Sequence, residues 1–186
     1  MSQRFVFELP EWVEPFITKR GAVYAGVEDR MALVIELAAE NIRHGTGGPF
    51  GAAIFDDAGK LIAPGVNLVP SKNCSILHAE MVAIALAQQN LGRYDLSDGG
   101  KQAFELVSSA EPCAMCMGAV PWSGVKRLVC GARDQDVREV GFDEGAKLSA
   151  WFEALQERGI EVTRDIERSA AVAVLNDYAR QQGTIY

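Results

Sequence analysis

The sequence predicts an α/β protein, a three-layer α/β/α sandwich around one mixed sheet of about five strands. Three observations predict it. From Gly26 to His44, apolar residues recur at three- and four-residue steps, the spacing of an amphipathic helix. Two short β-prone runs then flank Asp56-Asp57-Ala58-Gly59, a hairpin signal. Beyond the hairpin, helical stretches alternate with short apolar runs to the end of the chain.

Taken in order, residues 4–20 carry Phe5, Phe7, Leu9, Trp12, Val13, Phe16 and Ile17, punctuated by Pro10 and Pro15. A segment this apolar is expected to lie on the domain or on a partner subunit. Residues 1–25 are therefore read as an N-terminal arm and residues 26–186 as a single domain. The first long helix places Met31, Val34, Ile35, Ala38 and Ile42 on one face, and Gly45-Thr46-Gly47-Gly48-Pro49 ends it. Ala52–Phe55 and Lys60–Ala63 are the arms of the hairpin. A polar stretch from Pro70 to Ser75 leads to a helix that opens at His78 and runs to about Asn90. After a turn region at Asp95–Gly100, a strand is expected at Ala103–Ser108, then a short helix following Pro112, where proline suits a helix start. Val125–Cys130 is the fourth strand. Helical stretches follow near Asp134–Val140 and at Lys147–Arg158, and Ile160–Arg164 is the last strand. The closing helix, Arg168–Gln182, gathers Ala171, Val174, Leu175 and Tyr178 on one face.

Bulk properties narrow the function classes. With 186 residues, the chain can bury a substantial single core. A net charge of −7 repels phosphate backbones, so no nucleic-acid partner is expected. The N-terminal residues lack the apolar region of a signal peptide, and no apolar run reaches membrane-spanning length, so no membrane partner is expected. Four cysteines, two of them claimed below for a metal, do not make a disulfide framework; a reducing cytoplasm is the expected setting.

The chemistry centres on His78-Ala79-Glu80 and Pro112-Cys113-Ala114-Met115-Cys116. An imidazole and two thiolates are zinc ligands, and a Cys-x-x-Cys turn can place both sulfurs on one ion. Structural zinc sites normally close with four protein ligands, and neither Cys74, Cys130 nor His44 stands at a spacing that completes the set. The expected cofactor is thus Zn²⁺ on His78, Cys113 and Cys116, with water in an open fourth place. Glu80, two residues after the histidine, can handle that water's protons. Singly, each of these residues has a blander reading: a core histidine, a redox pair, a solvated glutamate. Their order and spacing together match the signature of zinc-dependent base deaminases. Cys74 and Cys130 read as structural, and His44 as a cation at a helix C-terminus.

From about residue 26 to residue 150 the chain resembles the cytidine deaminase-like superfamily and, within it, the small bacterial guanine deaminases. The resemblance rests on Gly48-Pro49-Phe50-Gly51-Ala52, Asn67, His78-Ala79-Glu80, Ser109 to Cys116, and Gly141-Phe142-Asp143-Glu144-Gly145. Phe142-Asp143-Glu144 is what favours guanine. The resemblance implies a homodimer, one zinc per subunit, and a C-terminal segment ending in Tyr186 that closes over the site. It also implies hydrolytic deamination of guanine to xanthine and ammonia.

Guanine offers an acceptor at N3, an amine on C2 and an N1–H beside it. An ionised carboxylate only accepts, so it suits that N1–H and amine. Glu144 is the candidate, a second catalytic residue beside Glu80, with Asp143 its rival; an exposed acidic turn is the alternative for both. Asn67 could satisfy O6 and N7 or could be a turn residue. Phe50, Trp122 and Phe142 could sandwich the base or could be core. Ala79 and Tyr186 complete the expected substrate contacts. Competing functions on the same machinery are deamination of an aminotriazine, cytosine or pterin and, against the net charge, of tRNA adenosine. The non-enzyme alternative is a zinc-stabilised binding domain, which would leave Glu80 without a purpose.

Overall fold

A computed structural model describes residues 6–186. The expected sandwich is the observed architecture: five strands in the order β2-β1-β3-β4-β5 with helices on both faces. β1 (Gly51–Phe55) pairs antiparallel with β2 (Leu61–Val66) and with β3 (Glu105–Ala110). β3, β4 (Arg127–Ala132) and β5 (Glu161–Thr163) run parallel, so the sheet is mixed.

Side-chain alternation along β1 explains the layers. Ala53 and Phe55 face one core with Val107 and Val129, against helix α2 (Val27–Arg43). The closing helix, α8 (Arg168–Arg180), buries Ala171, Val174, Leu175 and Tyr178 in that same core. Ala52 and Ile54 face the opposite core, under α4 (Ala79–Leu91) and α5 (Ala114–Ser123). A strand with both faces covered must be apolar throughout, as all five β1 residues are. α4 lies so close to β2 that a Cβ at Gly65 would collide with the backbone of Ala79 and Ala83. Gly65→Ala would therefore push the helix carrying Glu80 off the sheet.

Several expected elements shift. The start of the polar stretch expected from Pro70 to Ser75 closes one helical turn, α3 (Val69–Lys72). The short helix follows Pro112 as expected, with Cys113 as the N-cap of α5. α6 (Asp134–Glu139) forms where expected. The helix expected from Lys147 begins only at Trp151, as α7 (Trp151–Gln156). In the stretch before it, the Lys147 ammonium pairs with Asp134 and Glu111.

Of the N-terminal arm, residues 1–5, including Phe5, lie outside the described residues. The rest folds onto the domain. α1 (Val13–Thr18) buries Val13, and Tyr24 joins the core beneath α2. The Trp12 ring stacks on His44 at 5.2 Å while its Nε1–H donates to Thr46 Oγ1 at 3.0 Å. Among the described residues no helix is long and apolar enough to cross a membrane.

Candidate active site

Two helix N-termini meet at the carboxyl end of β3. His78 is the N-cap of α4, with Glu80 in the first turn; Cys113 is the N-cap of α5, with Cys116 one turn on. The parallel pairing of β3 with β4 fixes where α5 begins, and packing on β2 and β1 fixes α4. Positive ends of two helix dipoles thus point at the thiols and the carboxylate, favouring their charged forms.

The candidate ligand atoms of His78, Cys113 and Cys116 all lie within 4.8 Å of one another. His78 Nδ1 and Cys113 Sγ are 3.5 Å apart. Ligands at roughly 2.0–2.3 Å around a tetrahedral ion lie within about 4 Å of one another, so the three residues fit zinc with little adjustment. Neither Cys74 nor Cys130 joins the group. Cys130 is wholly buried in β4 behind the site.

The electrostatics agree with a metal-binding thiolate. The hydrogen bond from Cys116, and then that from His78, hold the Cys113 thiol down to about 4. The same Cys113–Cys116 bond, with burial, pushes Cys116 up. Burial pulls the His78 imidazole down, but Cys113 and Glu80 outweigh it and raise the histidine. Glu80 is buried, and desolvation with the neighbouring Cys113 raises its carboxyl. Ser108 Oγ donates to Glu80 Oε1 at 3.3 Å, and Cys116 Sγ lies 3.5 Å from Oε2. Ser108 was not anticipated as a site residue; its signal was a hydroxyl in a strand buried along its whole length.

Opposite the ligands, Phe50, Asn67, Phe142, Asp143, Glu144 and Tyr186 line a small cavity of about 20 Å³. Asn67 Oδ1 accepts from the backbone N–H of Val69 at 3.1 Å and of Gly48 at 3.4 Å. That fixes the amide orientation and leaves Nδ2, buried, without a partner among the described residues. Glu144 Oε2 and the Tyr186 hydroxyl are likewise buried and unpartnered there. Burial, and then the Cys113 thiolate, push the Glu144 carboxyl up to about 8. The Phe142 ring meets Phe50 edge-on at 5.0 Å and Tyr186 at 5.3 Å. A Cβ at Gly48 would collide with the Tyr186 hydroxyl, so the tail's seat requires glycine.

Three of the expected contacts lie apart from the cavity interior. Trp122 is 84% exposed near the far end of α5, about 13 Å along the helix from Cys113, and takes no part in the cavity. Ala79 packs into the core under the sheet, because consecutive helical residues point about 100° apart and Glu80 takes the site-facing direction. Asp143 reaches the cavity rim, but it is exposed and its Oδ1 is spent on the Gly145 N–H at 2.8 Å. Between the two acids, burial and the orphaned oxygen favour Glu144.

A family model described as the cytidine and deoxycytidylate deaminase zinc-binding region matches residues 26–132. Guanine deaminase of Bacillus subtilis (strain 168) is 43% identical over 110 residues, 59% of this chain and 67% of that one. A solved guanine deaminase from Nitrosomonas europaea is 46% identical, covering 97% of this chain and 98% of that one, with a TM-score of 0.90. A further solved structure, of a protein in complex with 2,6-diaminopurine, is 49% identical over 94% of each chain, with a TM-score of 0.86.

Proposed function

We propose, from the premise that this chain belongs to the cytidine and deoxycytidylate deaminase family, that it hydrolyses guanine to xanthine and ammonia with one zinc ion per subunit. Similarity to one guanine deaminase over 97% of the chain, and to another over 59%, supports the reading. The observation that carries it is the set of buried, unpartnered polar atoms facing the ligand triad: Asn67 Nδ2, Glu144 Oε2 and the Tyr186 hydroxyl. Buried polar groups are normally satisfied, and orphans gathered in one cavity indicate a bound molecule that satisfies them.

Guanine matches that set. Asn67 Nδ2 can donate to O6 and N7, both acceptors, while Glu144 accepts from N1–H and the C2 amine. Those donors favour the charged carboxylate, drawing Glu144 down from its raised value as the base binds. Phe50 and Phe142 flank the ring. His78, Cys113 and Cys116 would hold the zinc, which lowers the pKa of water to about 7 and makes a nucleophile available near neutral pH. Glu80 would take one proton from the attacking water and pass it to N3, then carry the second, from the new C2 hydroxyl, to the amine as the C2–N bond breaks and C2=O forms. Water enters and ammonia leaves, so the overall proton count balances.

A cavity of about 20 Å³ admits a water but not a purine. Entry of the base therefore requires the lining to open, and the reading assigns that movement to the C-terminal tail that carries Tyr186. The reading includes a homodimer, supported by Trp122, an aromatic type enriched at interfaces and exposed here on α5. Deamination of tRNA is disfavoured by the net charge of −7.

Ammonia release from a panel of guanine, cytosine, an aminotriazine, a pterin and tRNA tests the proposal. Guanine should give the highest kcat/KM by at least about tenfold, a difference of roughly 1.4 kcal/mol in transition-state binding. A better turnover of any other member would reassign the substrate.

A further inference from the structure

We propose that Lys147 is a positioning residue for guanine deamination, holding the otherwise irregular 141–150 segment so that the Glu144 carboxylate meets the base. This rests on the reading that Glu144 contacts substrate. The segment between α6 and α7 belongs to no helix or strand, yet it carries a carboxylate that must be placed within a few tenths of an ångström. Its backbone touches the metal-ligand helix once, where the Ala114 N–H donates to the Glu144 carbonyl at 3.0 Å. Rotation about that single bond would carry the side chain away.

Ion pairs supply the missing constraints. The Lys147 side chain is 4% exposed, with Nζ 3.2 Å from Asp134 Oδ1 and 3.7 Å from Glu111 Oε2. The ammonium also lies over the Trp151 ring, 4.7 Å from its centroid. Arg138 pins the same segment two residues earlier. Its guanidinium donates to the Gly145 carbonyl at 3.0 Å and to Asp134 Oδ2 at 2.7 Å. Asp134 thus anchors the chain on both sides of residue 146. Glu111 is held by Arg164 Nε at 2.6 Å and by the Asp134 N–H at 3.1 Å, so the anchor is itself fixed.

A buried lysine facing buried carboxylates is poor evidence of added stability, because desolvating the ions offsets most of their attraction. Such a network does define one geometry. Since Lys147 stands only three residues from Glu144, the part it fixes is the acid's location rather than the fold at large. Lys147 lines neither the cavity nor the ligand triad, so its effect on turnover passes through Glu144, by holding the segment and by a positive charge that favours the carboxylate.

Lys147→Met keeps the aliphatic stem and removes the charge. It should lower kcat/KM on guanine about 10–100-fold, since a misplacement near 1 Å can cost about 10²-fold. Zinc content should not change. Combined with Glu144→Gln, the loss should be no greater than for Glu144→Gln alone, because residues acting through one another are not additive. Multiplying losses, or a Lys147→Met enzyme as active as wild type, would overturn the proposal. Should Lys147→Met fail to fold, Asp134→Asn, which loosens both anchors, must show the same non-additivity or the proposal falls. If Glu144→Gln alone leaves kcat/KM unchanged, it is the substrate contact that fails, and this inference fails with it.

Discussion

Glu80→Gln is expected to reduce guanine turnover by at least about 10²–10⁴-fold, the usual contribution of a general acid–base group. The loss should lie at or beyond the top of that range, because one carboxylate serves successive transfers from water to N3 and then to the amine. The amide keeps the shape and can still accept from the Ser108 hydroxyl, 3.3 Å away in the native site, so the helix should stay in place. Zinc should remain bound in this variant and be lost in Cys113→Ala, which removes a ligand. Metal content and steady-state rates, measured on the same preparations, separate a chemical defect from an empty site. Near-normal turnover by Glu80→Gln would end the proposed mechanism.

Glu144→Gln should lower kcat/KM on guanine by roughly 10–100-fold, since hydrogen bonds to charged groups contribute about 1.5–3 kcal/mol. The amide accepts one bond but carries no charge, and charge-assisted bonds are about twice as strong as neutral ones. An exposed turn residue would behave otherwise, costing within about 0.5 kcal/mol of stability and leaving kinetics alone. Stability provides an independent check. Burial raises the Glu144 carboxyl from 4.5 to about 8 in the metal-free chain. A raised acid destabilises the fold once it must ionise, so the wild type loses stability as pH rises from about 4.5 through about 8. The variant carries no such penalty. Its melting temperature should gain on that of wild type across this interval, while its activity falls.

The grouping of His78, Cys113 and Cys116 was legible because zinc chemistry restricts both residue type and spacing. Histidine and two cysteines, 35 residues apart along the chain, had few other joint purposes. The sheet was legible from short apolar runs between helical stretches and from the Asp56–Gly59 turn, which permit few pairings. What could not be read was direction. Trp122 and Phe142 are both aromatic, and nothing in composition says that one faces solvent while the other meets Phe50. Ala79 lies in the motif but faces the sheet, because side-chain direction follows helix phase rather than proximity in sequence. Ser108 and Lys147 act across the fold, at separations of 28 residues to Glu80 and 36 to Glu111, where no local signal reaches.

A structure of the zinc-loaded protein with 8-azaguanine, which keeps the N1–H, amine, O6 and N7 of guanine, tests the assignment of the three orphaned atoms most directly. The base should lie between Phe50 and Phe142 with N1–H and the amine on Glu144, O6 or N7 on Asn67 Nδ2, and C2 facing the metal. Each contact should fall within about 2.7–3.2 Å. A base bound with its C2 turned from the ligand triad, or with Glu144 pointing to solvent, would contradict the account.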